Sequence, residues 1–144
     1  MPSVFKSNSA ALRGDIREQA AKNLLAAAVF YQTQLMAKLG ERTPAVKTIK
    51  KGKRSRRVFV PPFSLPGEYP MKRTGFLQQS ILIEPTKVSE VEKDLRIKVG
   101  YSFNAFYGSI LEFKLLRNGL MKTLKDLEPY LTALAQGVLI SDRK

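Results

Sequence analysis

The stretch "SAALRGDIREQAAKNLLAAAVFYQTQLMAKLG", Ser9 to Gly40, decides the fold. Leu12, Ile16, Ala20, Leu24, Ala28, Tyr31, Leu35 and Leu39 recur at steps of four, four, four, four, three, four and four. That spacing lays one apolar stripe along an α-helix. Leu25, Val29 and Met36 widen the stripe. Ser9 is placed to cap the start. Asp15 is a second candidate cap, because Gly14 weakens the first turns. Gly40 stands where a helix stops. The segment "AAKNLLAAAV", Ala20 to Val29, is rich in alanine, which suits a helix and also lets another backbone approach closely.

The next stretch is different in kind. "ERTPAVKTIKKGKRSRRVFVPPFSLPGEYP", Glu41 to Pro70, carries five prolines and two glycines and reads as a long excursion with a loose hairpin around Lys51-Gly52. From Ser80 the pattern changes to period two. "SILIEPTKV" and "DLRIKVGYSF" read as strands, with Leu95, Ile97 and Val99 facing one way and Arg96 and Lys98 the other. "SEVEKD" between them reads as a solvated hairpin tip. Asn104 opens a short helix. The last helix is expected from about Leu120 to Gln136, broken or restarted at Pro129 and ended by Gly137. The fold class is therefore α+β. A small antiparallel β-sheet packs against the long N-terminal α-helix, with short helices and a C-terminal helix. The chain, 1–144, is read as a single domain with an extended basic and Pro-rich arm at about 41–70.

Composition excludes much chemistry. The chain contains no cysteine and no histidine. Disulfides, zinc sites of the usual Cys/His kind, cysteine nucleophiles and histidine-based triads are all ruled out. The acids are scattered apart from Glu90, Glu92 and Asp94, so no catalytic residue, metal site or cofactor is expected, and the protein is not read as an enzyme. No apolar run has transmembrane length, and "MPSVFKSNSA" lacks the apolar stretch of a signal peptide, so a soluble protein is expected.

The net charge of +13 is concentrated. Eight lysines and arginines fall between Arg42 and Arg57, and without them +5 remains. No acid occurs from Arg42 to Gly67. Lys47, Lys50, Lys51, Lys53, Arg54, Arg56 and Arg57 are the candidate contact residues of the arm. Their partner is either an acidic protein surface or nucleic-acid phosphate, bound without reading sequence.

"PGEYPMKRTGFLQQSI", followed at a distance by "VGYSFNAFYGSILEF", resembles the head–tail joining or tail-completion (neck) proteins of tailed bacteriophages. The resemblance rests on Pro70, Thr74, Gly75, Leu77, Ser80 and Ile81, then Val99, Gly100, Tyr107, Leu111, Glu112 and Phe113. The chain departs from it after Phe113. Lys114-Leu115 stands in place of Gly-Thr, and "RNGLMKTL" in place of an Arg-Pro-Phe-like entry to the last helix. The resemblance implies a structural virion subunit of the neck or tail end, made in the host cytoplasm. It implies a ring homo-oligomer, commonly a hexamer, around the DNA channel, joining head to tail and contacting neighbouring neck and tail proteins. Non-specific contact with DNA in the channel is part of that expectation. A sequence-independent nucleic-acid-binding module is the alternative.

The residues support a reading of their own. Pro70, Thr74, Gly75, Leu77, Ser80 and Ile81 form a fold-defining corner that turns the arm into a short helix capped by Thr74. Glu112, between Leu111 and Phe113, is expected as a packed carboxylate paired to a lysine or arginine.

Overall fold

The computed structural model describes residues 9–61, 64–70, 75–115 and 119–137. Helix α1 (Ser9–Gly40) is a rod of about 48 Å at 1.5 Å per residue. Its C-terminal half is the spine of the molecule. Ala21, Ala27, Ala28, Tyr31, Leu35 and Leu39 are buried on one face. Leu12 and Ile16 continue the same stripe but remain 61% exposed, and residues 10–19 are exposed throughout. The periodicity is therefore real along the whole helix, while the body covers only its second half.

Helix α5 (Gly119–Ala135) is the main partner of α1. Leu120, Leu127 and Leu131 pack against the buried cluster of Tyr31, Leu35, Leu39 and Ile81. Pro129 lies inside α5 rather than at a restart. It removes one backbone donor, but the apolar stripe on either side keeps both halves on α1. Gly137, at φ +82°, closes the helix region as expected.

The strands form two small antiparallel pairs rather than one sheet. β1 (Ala45–Lys51) pairs with β2 (Arg54–Val60), and β3 (Ile81–Glu84) pairs with β4 (Lys98–Tyr101). β3 follows the single turn α2 (Phe76–Gln79) and lies on α1, where the Gln32 side-chain amide donates to the Ile81 carbonyl at 2.8 Å. Ile81 and Ile83 point inward, while Leu82 and Glu84 point outward.

The acidic segment after β3 is not a hairpin tip but helix α3 (Val88–Asp94). Val91 is fully buried and α3 packs on α1. Arg17 of α1 closes its C-terminus, donating from Nε to the Glu92 carbonyl at 2.7 Å and from an Nη to the Lys93 carbonyl at 2.6 Å. A cation there complements the unpaired carbonyls of a helix end. Leu95 then takes a left-handed conformation, φ 49°, so the strand expected from Leu95 begins only at Lys98.

After β4 the chain runs through a 3-10 turn (Phe103–Ala105), helix α4 (Tyr107–Ser109) and a π-helical segment (Ile110–Lys114). Asn104 lies inside the 3-10 turn instead of capping a helix. Gly108 is a position where only glycine fits. A Cβ there would stand 2.5 Å from the Tyr101 ring. Gly108→Ala is expected to lower stability by about 1–3 kcal/mol, the range for overpacking. Gly100→Ala, whose Cβ would meet nothing within 4 Å, is the tolerated control. Urea unfolding of the two variants side by side checks this, and equal midpoints would refute it.

Candidate functional site

The hairpin expected around Lys51-Gly52 is present as a two-stranded ribbon within the arm. β1 and β2 pair over seven rungs from Ala45↔Val60 to Lys51↔Arg54, a length of about 23 Å. Gly52, at φ +63°, makes the tight turn next to Lys53. β1 is exposed along its whole length, and so is β2 up to Arg57. The structure brings Lys47, Lys50, Lys51, Lys53, Arg54, Arg56 and Arg57 together on this ribbon. Among the described residues none of them forms an ion pair.

The base of the ribbon is clamped. Arg42 on the outgoing limb meets Glu68 on the returning limb at 3.3 Å. The Glu68 carboxylate also accepts the Leu65 N–H at 3.0 Å. That backbone donor first, and Arg42 after it, hold the Glu68 carboxyl below its ordinary range. Lys122 of α5 donates to the Gly67 carbonyl at 3.2 Å and lies over the Tyr69 ring at 5.0 Å. The buried Thr123 hydroxyl donates to the Tyr69 oxygen at 3.0 Å.

The corner residues sit close to this clamp. Pro70 is buried. Thr74 lies outside the described residues. Gly75, at φ +81° and buried, stands at the start of α2, where a residue with a Cβ is strained. Leu77 packs against the core cluster. The Ser80 hydroxyl donates to the Leu77 carbonyl at 2.7 Å, and the Ser80 carbonyl accepts the Ser102 N–H at 2.7 Å. Ile81 is buried in the core.

Glu112 is buried at 5% exposure, as a packed carboxylate should be, but its partner is neither lysine nor arginine. One of its oxygens accepts the Leu120 N–H at 2.7 Å and the Tyr101 hydroxyl at 3.1 Å. The Tyr31 hydroxyl in turn donates to the Leu120 carbonyl at 2.6 Å. Backbone amides at the start of α5 supply the positive end that a cation was expected to supply. Burial pushes the Glu112 carboxyl above its ordinary range, with the Leu120 N–H and the Tyr101 hydroxyl opposing the shift. Burial, with the neighbouring carboxylate second, pushes both Tyr101 and Tyr31 upward.

A second exposed surface lies in the segment after β4. Phe103, Phe106 and Phe113 are 94%, 69% and 82% exposed, and Ile110 and Leu115 are partly exposed beside them in the chain. Phe76 stacks on Tyr107 with ring centroids 6.3 Å apart. The signal was the aromatic density of "YSFNAFYGSILEF". No helical period accommodates all of it, because the π-helical turn carrying Glu112 inward leaves Phe113 outward. A shallow apolar groove of about 620 Å³ lies between α1 and α3, lined by Leu25, Ala26, Val29, Phe30 and Val88. Among the described residues no group of three acids could hold a metal ion, and no helix is long and apolar enough to cross a membrane.

Glu112 generates a prediction with a definite sign. A carboxyl raised in the folded state stabilises below its unfolded pKa, and that contribution is lost as pH rises through the folded pKa. Glu112→Gln keeps an acceptor and removes the charge, so it should flatten this part of the stability–pH profile. Glu112→Ala leaves two buried donors unmet and should cost at least about 2 kcal/mol. Thermal melts from pH 4 to 8 on the three proteins read both effects.

A scan against known protein families, a search of curated proteins and a search of solved structures each return no match to this chain.

Proposed function

We propose that this chain is a structural subunit of a phage neck or tail-end ring, a homo-oligomer of hexameric type that joins head and tail around the DNA channel. The observation that carries the reading is the exposed aromatic segment from Phe103 to Leu115. Phe103, Phe106 and Phe113 turn outward within eleven residues of a small body. Large apolar surface left in water marks a protein contact, and aromatic residues are the type most enriched in such contacts. The burial of Gly75, Ser80, Ile81 and Glu112 and the packing of Leu77 on the core cluster support the reading that these motif residues serve the fold. The role is architectural rather than catalytic, and neighbouring neck and tail proteins complete the contacts.

Light scattering after size exclusion is the direct test. The expected result is a discrete species larger than a monomer, or ring formation on mixing with neck or tail partners. Phe103→Ser with Phe113→Ser should keep the circular dichroism spectrum and shift the protein to monomer. A strict monomer at high concentration, with no ring formed beside its partners, would overturn the reading.

A further inference from the structure

The pairing register of the ribbon sorts its cations onto two faces. Directly opposed residues share a face of an antiparallel pair, and the face alternates at each rung. Lys47, Lys51, Arg54 and Arg56 therefore lie on one face. Lys50 and Arg57 lie on the other, and Lys53 stands in the turn. The apolar residues of the ribbon are mostly towards its base, where Val46 opposes Phe59 and Ala45 opposes Val60. The ribbon is thus apolar at the base and cationic on both sides towards the tip.

Three features argue that this charge has an anionic partner. Lys51 and Arg54 oppose each other directly, and like charges at that position destabilise a strand pair. No acid occurs between Arg42 and Gly67 to relieve the repulsion, whereas a merely solvated surface mixes both signs. The clamp at Arg42 and Glu68, with Lys122 and Thr123 behind it, fixes where the ribbon leaves the body.

The distribution also selects the kind of partner. A flat acidic surface meets one face of a ribbon and leaves the other cations in water. A groove with anionic walls meets both. The major groove of duplex DNA, about 12 Å wide, admits a two-stranded β-ribbon between two rows of phosphates. Between Lys47 and Arg57 there is no aromatic residue, so a stacking platform for single strands is missing. We propose that the β1–β2 ribbon is a duplex-DNA arm that enters a groove tip first and holds phosphates on both sides without reading base sequence. The proposal stands on the ribbon alone and does not depend on ring formation.

Fluorescence anisotropy of the full chain with labelled 25-base-pair duplexes tests it. Two duplexes of unrelated sequence should bind within about threefold of each other. Log affinity should fall linearly with log salt, with a slope of about −4 to −6 for five or six neutralised phosphates. Lys50→Gln with Arg57→Gln, and separately Lys51→Gln with Arg54→Gln and Arg56→Gln, should each weaken binding and make the slope shallower. A 25-base single strand should bind at least tenfold more weakly than the duplex. These sites are exposed, so the circular dichroism spectrum should not change. Absence of duplex binding at low salt overturns the proposal. So does an effect confined to one face, or displacement by polyglutamate as effective as by duplex at equal charge, which would indicate an acidic protein surface. Light scattering on the same variants reads ring formation separately. Duplex binding by a monomer leaves the arm proposal intact while the ring reading fails.

Discussion

A single buried carboxylate, Glu112, is the constraint on which the arrangement of the body depends. Its oxygen gathers a hydroxyl from β4 and a backbone amide from the first turn of α5. The Tyr31 hydroxyl of α1 reaches the next polar atom, the carbonyl of that same Leu120. The Glu112 carboxylate thus ties the π-helical segment to β4 and to α5, and the Leu120 carbonyl ties α5 to α1. Removing a charge from water costs several kcal/mol, so such a group is kept only where donors are already in place. Here the donors are held by elements that also bury Leu35, Leu39 and Ile81. Polar node and apolar cluster therefore require each other.

Around that node the molecule divides into a packed body and parts that leave it. The body is α1 from Ala21 onward, α5, α3 and the β3–β4 pair. The first turns of α1, most of the β1–β2 ribbon and the side chains of Phe103, Phe106 and Phe113 lie outside the packing. Each has a different surface chemistry: aliphatic on Leu12 and Ile16, cationic on the ribbon, aromatic at Phe103 and Phe113. Exposed apolar side chains therefore occur at two separate places on the described residues, and the cations at a third.

How far the sequence discloses this depends on which force decides each element. Tyr31, Leu35 and Leu39 were legible because one face of a helix was buried, and periodicity reports burial potential. Leu12 and Ile16 share the period without the cover, which no pattern along a single chain reveals. Helix α3 was hidden by its acids, although Val88 and Val91 already carried a helical step of three. The ribbon is legible at its Gly52 turn but not along its length, because cations on both faces erase the alternation that marks a half-buried strand. The packed state of Glu112 was legible, and its partners were not. Backbone amides are the same in every sequence, and Tyr101 lies eleven residues away on another element. The cationic cluster was legible as composition, and only the register of β1 against β2 divided it between two sides.

The π-helical turn at Ile110–Lys114 has a consequence for how this chain tolerates change in length. Its bonds skip one residue more than those of an α-helix, as in the Leu115 N–H to Ile110 carbonyl bond of 3.0 Å. Deleting one residue there would restore ordinary α-helical winding and rotate the downstream chain by about 100°. Glu112 would then leave its donors, and Phe113 would turn towards the interior. Length in this segment is therefore as strictly set as identity.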